Sequence, residues 1–164
     1  MRQIFKGVAG AVLLAGGSAV AGEFDSRVPM RDMGAATYYV DGEIQGVGKV
    51  DLMVDTGSGY TVINEQTLAL LKPSNGAVYV KDLSGILADG SSMTVPVYRI
   101  AHLRIGEACT LSDVEVAVFP GGTRQILGLS ALRRAAPFIF SLDPPQLVLS
   151  HCTVRADVAG GRGS

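Results

Sequence analysis

Short runs rich in Val, Ile and Tyr alternate with Gly, Asp and Ser along most of the chain, a pattern that predicts a mostly antiparallel β domain. Thr37 to Ile44 and Lys49 to Val54 read as a hairpin, with Gln45-Gly46-Val47-Gly48 supplying the turn, and the second strand runs straight into Asp55. Tyr60 to Ile63 reads as strand. Asn64 can then cap a short helix through Leu71, which Lys72-Pro73-Ser74-Asn75-Gly76 stops. Val78 to Lys81, Met93 to Ile100, Leu103 to Ile105 and Val114 to Phe119 predict further short strands. After Pro120-Gly121-Gly122, the run Gln125-Ile126-Leu127-Gly128 leads to Ser130, read as the cap of a brief helix over Ala131 to Ala135. Phe138 to Leu142 and Leu147 to Ser150 flank the turn Asp143-Pro144-Pro145-Gln146. No fixed-period repeat is present, which excludes solenoids and propellers.

The two ends read differently from the middle. Arg2 and Lys6, a small and apolar stretch from Gly7 to Val20, and Ala19-Val20-Ala21 have the form of a cleavable export signal over residues 1–21. The uncharged run falls short of the ~20 residues a spanning helix needs. The expected location is therefore the periplasm or outside the cell with no stable membrane insertion after cleavage; an uncleaved leader acting as an anchor is the alternative. Residues 22–34 are polar and read as an extended arm outside the core, with order beginning near Ala35. Residues 35–155 form the single domain, and 156–164 a loose Gly-rich tail. Whether the arm is a propeptide is left open.

Composition narrows the classes of function. With 164 residues, 48% hydrophobic and 18% charged, the chain holds one core and lacks the signature of disorder. Its 14 basic and 15 acidic residues are scattered, no basic block tracks phosphates, and Trp is absent, so nucleic acid is not an expected partner. Cys109 and Cys152 either bridge in an oxidising compartment or stay buried thiols; a bridge would add about 4 kcal/mol in the chain-entropy view.

Val50-Asp51-Leu52-Met53-Val54-Asp55-Thr56-Gly57-Ser58 puts a carboxylate at the end of an apolar strand, followed at once by small hydroxyl and glycine residues. A carboxylate there is costly unless its oxygens receive hydrogen bonds, which the following backbone N–H groups and hydroxyl can supply. Met53-Val54-Asp55-Thr56-Gly57-Ser58 resembles the hallmark of the aspartic proteases, and Ile126-Leu127-Gly128 resembles the apolar pair and glycine that pack beneath their active-site loop. The single Asp-Thr-Gly, over a resemblance from about Thr37 to Ser150, is similar to the half-size retropepsin-like type, and the leader to its bacterial periplasmic members.

The resemblance implies an all-β, closed barrel-like acid-protease fold with one or two short helices, working as a symmetric homodimer on a polypeptide substrate, without metal or cofactor. Asp55 would be catalytic, Thr56 would lock the two loops across the dimer, and Gly57 and Ser58 would hold the carboxylate. Peptide hydrolysis by water independently asks for two carboxylates, one as base and one as acid, and one chain supplies one such motif. Ala88, Asp89 and Gly90 sit in a hairpin tip that the resemblance makes a flap over the substrate, with an ordinary surface turn as the alternative. The chain between Asp55 and Ile126 is longer than in compact viral forms, so part of Pro73 to Leu83 reads as an insertion.

Rival chemistries lack their patterns. His102, Cys109, His151 and Cys152 have no zinc spacing, Asp41 and Asp51 read as exposed strand or turn residues, and neither a P-loop nor G-x-S-x-G is present. The reading is an exported aspartic endopeptidase; the alternative is an inactive domain of the same fold that binds peptides.

Overall fold

The computed structural model describes residues 24–86 and 90–153. Strands β1 (Ser26–Pro29), β2 (Arg31–Asp32), β3 (Tyr38–Ile44) and β4 (Gly48–Val54) open the chain. The β3–β4 hairpin turns through Gln45, Gly46 and Val47, with Gly46 at φ 88° and the Val47 N–H bonded to the Ile44 carbonyl at 3.0 Å. Next come β5 (Thr61–Asn64) and α1 (Glu65–Leu71). The Asn64 side chain caps this helix by accepting from the Thr67 N–H at 2.9 Å, and a 3₁₀ turn at Lys72–Ser74 with Asn75 at φ 52° ends it.

β6 (Ala77–Ile86), β7 (Ser92–Ile105) and β8 (Cys109–Phe119) are longer than their apolar runs suggested. The stretch read as an insertion is largely β6, paired with β7 from Ala77↔Ile100 to Ile86↔Ser92. The two runs read as separate strands within β7 are one. Ile100 and Leu103 both face the main core, and on β8 so do Leu111 and Val114. The inward parity thus switches between the Ile100↔Val114 and His102↔Ser112 pairs, at Ala101 on β7 and at Asp113, which takes φ 55°, on β8. A strict period-two reading breaks a strand at such a point.

β9 (Ile126–Leu127), α2 (Leu129–Leu132), a 3₁₀ turn at Arg133–Ala135, β10 (Ile139–Leu142) and β11 (Pro145–Leu149) complete the described chain. Hydrogen bonding runs through β3, β4, β9, β5, β8 and β7 in turn, and β7 returns to β3 through Gly42↔Ile105, Glu43↔Arg104 and Ile44↔Leu103. The sheet therefore closes on itself, as the barrel-like expectation required, with β2 and β6 extending from it. Leu52, Ile63, Leu103, Ile105, Leu127 and Leu132 are fully buried inside, each worth about 1.5–3 kcal/mol of apolar burial.

A three-stranded sheet in the order β1-β11-β10 packs beside the barrel and corrects the reading of residues 22–34 as an arm outside the core. From Ser26 onward this segment is structural: β1 pairs with β11, and Val28 and Met30 are buried in the main core. Arg27, Pro29 and Arg31 point outward between them, so the average composition looked polar while every second residue faced in. Cys109 and Cys152 form a disulfide across 4.7 Å between Cα atoms, tying the segment after β11 to β8. The leader 1–21 and the tail 156–164 lie outside the described residues. Among the described residues no helix is long and apolar enough to cross a membrane.

Candidate active site

β9 lies between β4 and β5, parallel to β4 through Met53↔Ile126 and Val54↔Leu127 and antiparallel to β5 at Val62↔Ile126. The loop from Asp55 to Tyr60 leaves β4 and enters β5, so both of its ends rest on the same short strand. Main-chain bonds fix it there. The Met53 N–H donates to Gln125 O at 3.0 Å, the Asp55 N–H to Leu127 O at 3.1 Å, and the Leu129 N–H to Ser58 O at 2.8 Å. Ile126 and Leu127 thus support the loop by backbone pairing, while the buried Leu127 side chain points into the core.

Gly128 is required for a steric reason. A Cβ at this position would sit 2.1 Å from the Tyr60 carbonyl oxygen, 2.5 Å from its carbon and 2.9 Å from the Thr61 nitrogen, all of them backbone atoms. Instead the Gly128 N–H donates to Thr61 Oγ1 at 3.2 Å.

Within the loop, the Gly57 N–H donates to Asp55 Oδ1 at 2.8 Å, orienting a half-buried carboxylate. The bond fixes the direction of the carboxylate's free oxygen. Ser58 acts differently from the expectation that it holds the carboxylate. Its hydroxyl donates to Tyr60 O at 2.7 Å and its N–H to Asp55 O at 3.3 Å, so it braces the loop backbone. Thr56 is exposed. Ala88 and Asp89 lie outside the described residues; Gly90 is exposed at φ 84°.

Ser130 is not the helix cap. Gly128 occupies that position without a side-chain bond, and Ser130 Oγ instead accepts from the Thr61 N–H at 2.8 Å and donates to Glu115 O at 2.7 Å. Thr61 and Ser130 together stitch β5, β8 and α2 beneath the acid, a role that sequence reasoning missed. A Ser just before an apolar run carries a capping signal from local statistics alone, and nothing local marks a tertiary bridge.

Around the acid, Thr56, Gly57 and Gly59 are exposed. Concavities of about 840, 630, 420 and 320 Å³ are lined by other residues, the first by Arg27, Lys49, Asp51 and Arg104 among others. Asp41 and Asp51 face each other across β3 and β4, exposed, and Arg31 hydrogen-bonds both, at 2.7 Å to Asp51. These bonds, Asp51 first, push Arg31 above its ordinary range. His102 Nδ1 lies 3.2 Å from Ser112 Oγ and His151 Nδ1 2.6 Å from Ala136 O. Among the described residues no group of three or more His, Cys, Asp or Glu is placed to hold a metal.

The acid-bearing loop thus leaves the wall of a closed barrel and rests on a parallel neighbour strand. The family model described as "gag-polyprotein putative aspartyl protease" matches residues 40–134, a span that includes both Asp55 and Ile126-Leu127-Gly128, and the chain belongs to this family. Among solved structures it is similar to a retropepsin-like aspartic protease from Rickettsia conorii, with 18% identity and a TM-score of 0.55 over 77% of this chain and 89% of that one. That likeness establishes a retropepsin-like fold. No curated protein sequence matches.

Proposed function

We propose that the chain is an aspartic endopeptidase that works as a symmetric homodimer, with Asp55 of each subunit forming the catalytic pair. The observation that carries this reading is the Asp55 loop itself. It is pinned from below by β9 and Gly128, oriented by the Gly57 N–H, open above, and carries a single carboxylate. A rigid acid on an open surface is half of a general acid–base machine, and a second copy brings the other half.

Two carboxylates held together do not both ionise, so the pair shares one proton, the effect for which aspartic proteases are the standing example. The ionised Asp55 then takes a proton from a water that attacks the scissile carbonyl, while its protonated partner hydrogen-bonds the carbonyl oxygen. Collapse of the tetrahedral intermediate returns that proton to the leaving amine. Thr56 bonds the two loops to one another in this arrangement, and the β6–β7 hairpin covers the peptide. Strand β10 supports self-association, because it is a sheet edge, with Ile139 and Leu142 exposed on it, whose backbone groups a second copy can pair with. Export by the leader, with cleavage before the domain, belongs to the same proposal.

The test is digestion of a mixed peptide library at mildly acidic pH by wild type and Asp55→Asn, with circular dichroism as the fold control. The substitution is expected to lower cleavage by about 10²–10⁴-fold. Specific activity should rise with protein concentration as dimers form, followed by sedimentation. Undiminished cleavage by the variant, or a strict monomer that cleaves, refutes the mechanism.

A further inference from the structure

A second apolar cluster lies apart from the barrel core. Val95, Val97 and Ala117 are buried in it, and Tyr60, Leu83 and Phe119 pack against them. The strand register brings Lys81 to the same face, because Lys81 pairs with Val97, Val97 with Ala117 and Ala117 with Val62. Directly paired residues of neighbouring strands project to one side of a sheet. Tyr60 is where this surface meets the acid, since it ends the loop that Asp55 begins and its carbonyl accepts the Ser58 hydroxyl.

Lys81 Nζ reaches Tyr60 from β6 and lies 5.6 Å from its ring centroid, near the outer limit of cation–π contact. Tyr60 is also the main influence that holds Lys81 above its ordinary range. Among the described residues Lys81 forms no ion pair. Glu115, which attracts it, is instead bonded to Arg99 at 3.5 Å. The result is an exposed positive charge that, among the described residues, belongs to no ion pair; it lies beside the Tyr60 ring at the end of the acid-bearing loop, on the face of the sheet that holds the apolar cluster.

We infer that Tyr60 and Lys81 form a substrate side-chain subsite that selects an acidic residue, Asp or Glu, at one fixed distance from the scissile bond. This rests on the peptidase reading and narrows it to a substrate class. An extended peptide crossing Asp55 sends alternate side chains to opposite sides. One directed towards Tyr60 sets its methylenes on the apolar cluster and its carboxylate on the Lys81 ammonium, whereas a basic side chain meets repulsion there.

The experiment is the library digest read for sequence preference, followed by a matched peptide pair differing only in Glu or Gln at the enriched position. Wild type is expected to favour the Glu peptide about fivefold in kcat/KM, mostly through KM, the scale of a solvent-accessible ion pair. Lys81→Gln should bring the two peptides level, and Lys81→Glu should reverse the preference towards a Lys peptide. Fluorescence anisotropy of the same peptides with Asp55→Asn measures the preference without turnover. Cleavage by wild type with no acidic enrichment, or a preference that survives Lys81→Gln, overturns the subsite and leaves the peptidase standing. No cleavage by wild type together with no peptide binding by Asp55→Asn overturns both.

Discussion

Gly128→Ala tests how the acid-bearing loop is held. The new Cβ would lie 2.1 Å from Tyr60 O and 2.5 Å from Tyr60 C, where ordinary contacts begin near 3.4 Å. Tyr60 and Thr61 would have to retreat by roughly 1 Å, and neither is the free end of a flexible side chain. Forcing extra atoms into a packed site costs about 1–3 kcal/mol. The retreat also pulls on the Leu129 N–H bond to Ser58 O and the Gly128 N–H bond to Thr61 Oγ1, each worth about 1 kcal/mol. The expected loss is thus about 3–5 kcal/mol, a large share of the 5–15 kcal/mol typical of a domain.

Urea unfolding followed by tyrosine fluorescence measures this loss directly. Gly59→Ala is the control, because a Cβ at that position of the same loop meets nothing within 4 Å, so its midpoint should move by no more than about 0.5 kcal/mol. Where Gly128→Ala still folds, the displaced loop should cost cleavage about 10²-fold. A Gly128→Ala midpoint indistinguishable from wild type would refute the claim that backbone contact at Gly128 sets the loop.

Removing the disulfide by replacing both Cys109 and Cys152 with Ser should lower stability by about 4 kcal/mol for a separation of 43 residues, read as the same drop in melting temperature that reductant produces in wild type. Ser130→Ala leaves the Thr61 N–H and the Glu115 carbonyl without their shared partner, for an expected loss of about 1–3 kcal/mol in urea unfolding. An unchanged midpoint would mean that solvent replaces the hydroxyl.

The features that were legible in the sequence are those carried by local chemistry. Asn64 announced its helix because a cap needs only the next three residues, and Gly46 and Gly48 announced the hairpin because its turn demands unusual angles. Asp55 stood out because an acid after Leu52-Met53-Val54 is expensive without donors close behind it, and the Gly57 N–H is such a donor. The errors came from features settled at a distance. Val28 and Met30 are buried only because β11 returns to pair with β1, from more than a hundred residues away. A period-two pattern splits β7 because its inward parity changes at Ala101, in concert with Asp113 on a strand that the local pattern does not see.

Ser130 shows why the two kinds of evidence part company at the site itself. As a local unit it has the composition of a cap; in the fold its hydroxyl is taken by Thr61 and Glu115, and the short helix begins without it. A loop that must hold one carboxylate still cannot rely on its own few residues, since each loop bond is worth only about 1 kcal/mol. Here the bonds run to β9 and α2, and Thr61 and Ser130 carry the linkage onward to β8, so moving the acid means moving the barrel wall. That rigidity is what lets so short a motif position a reactive group.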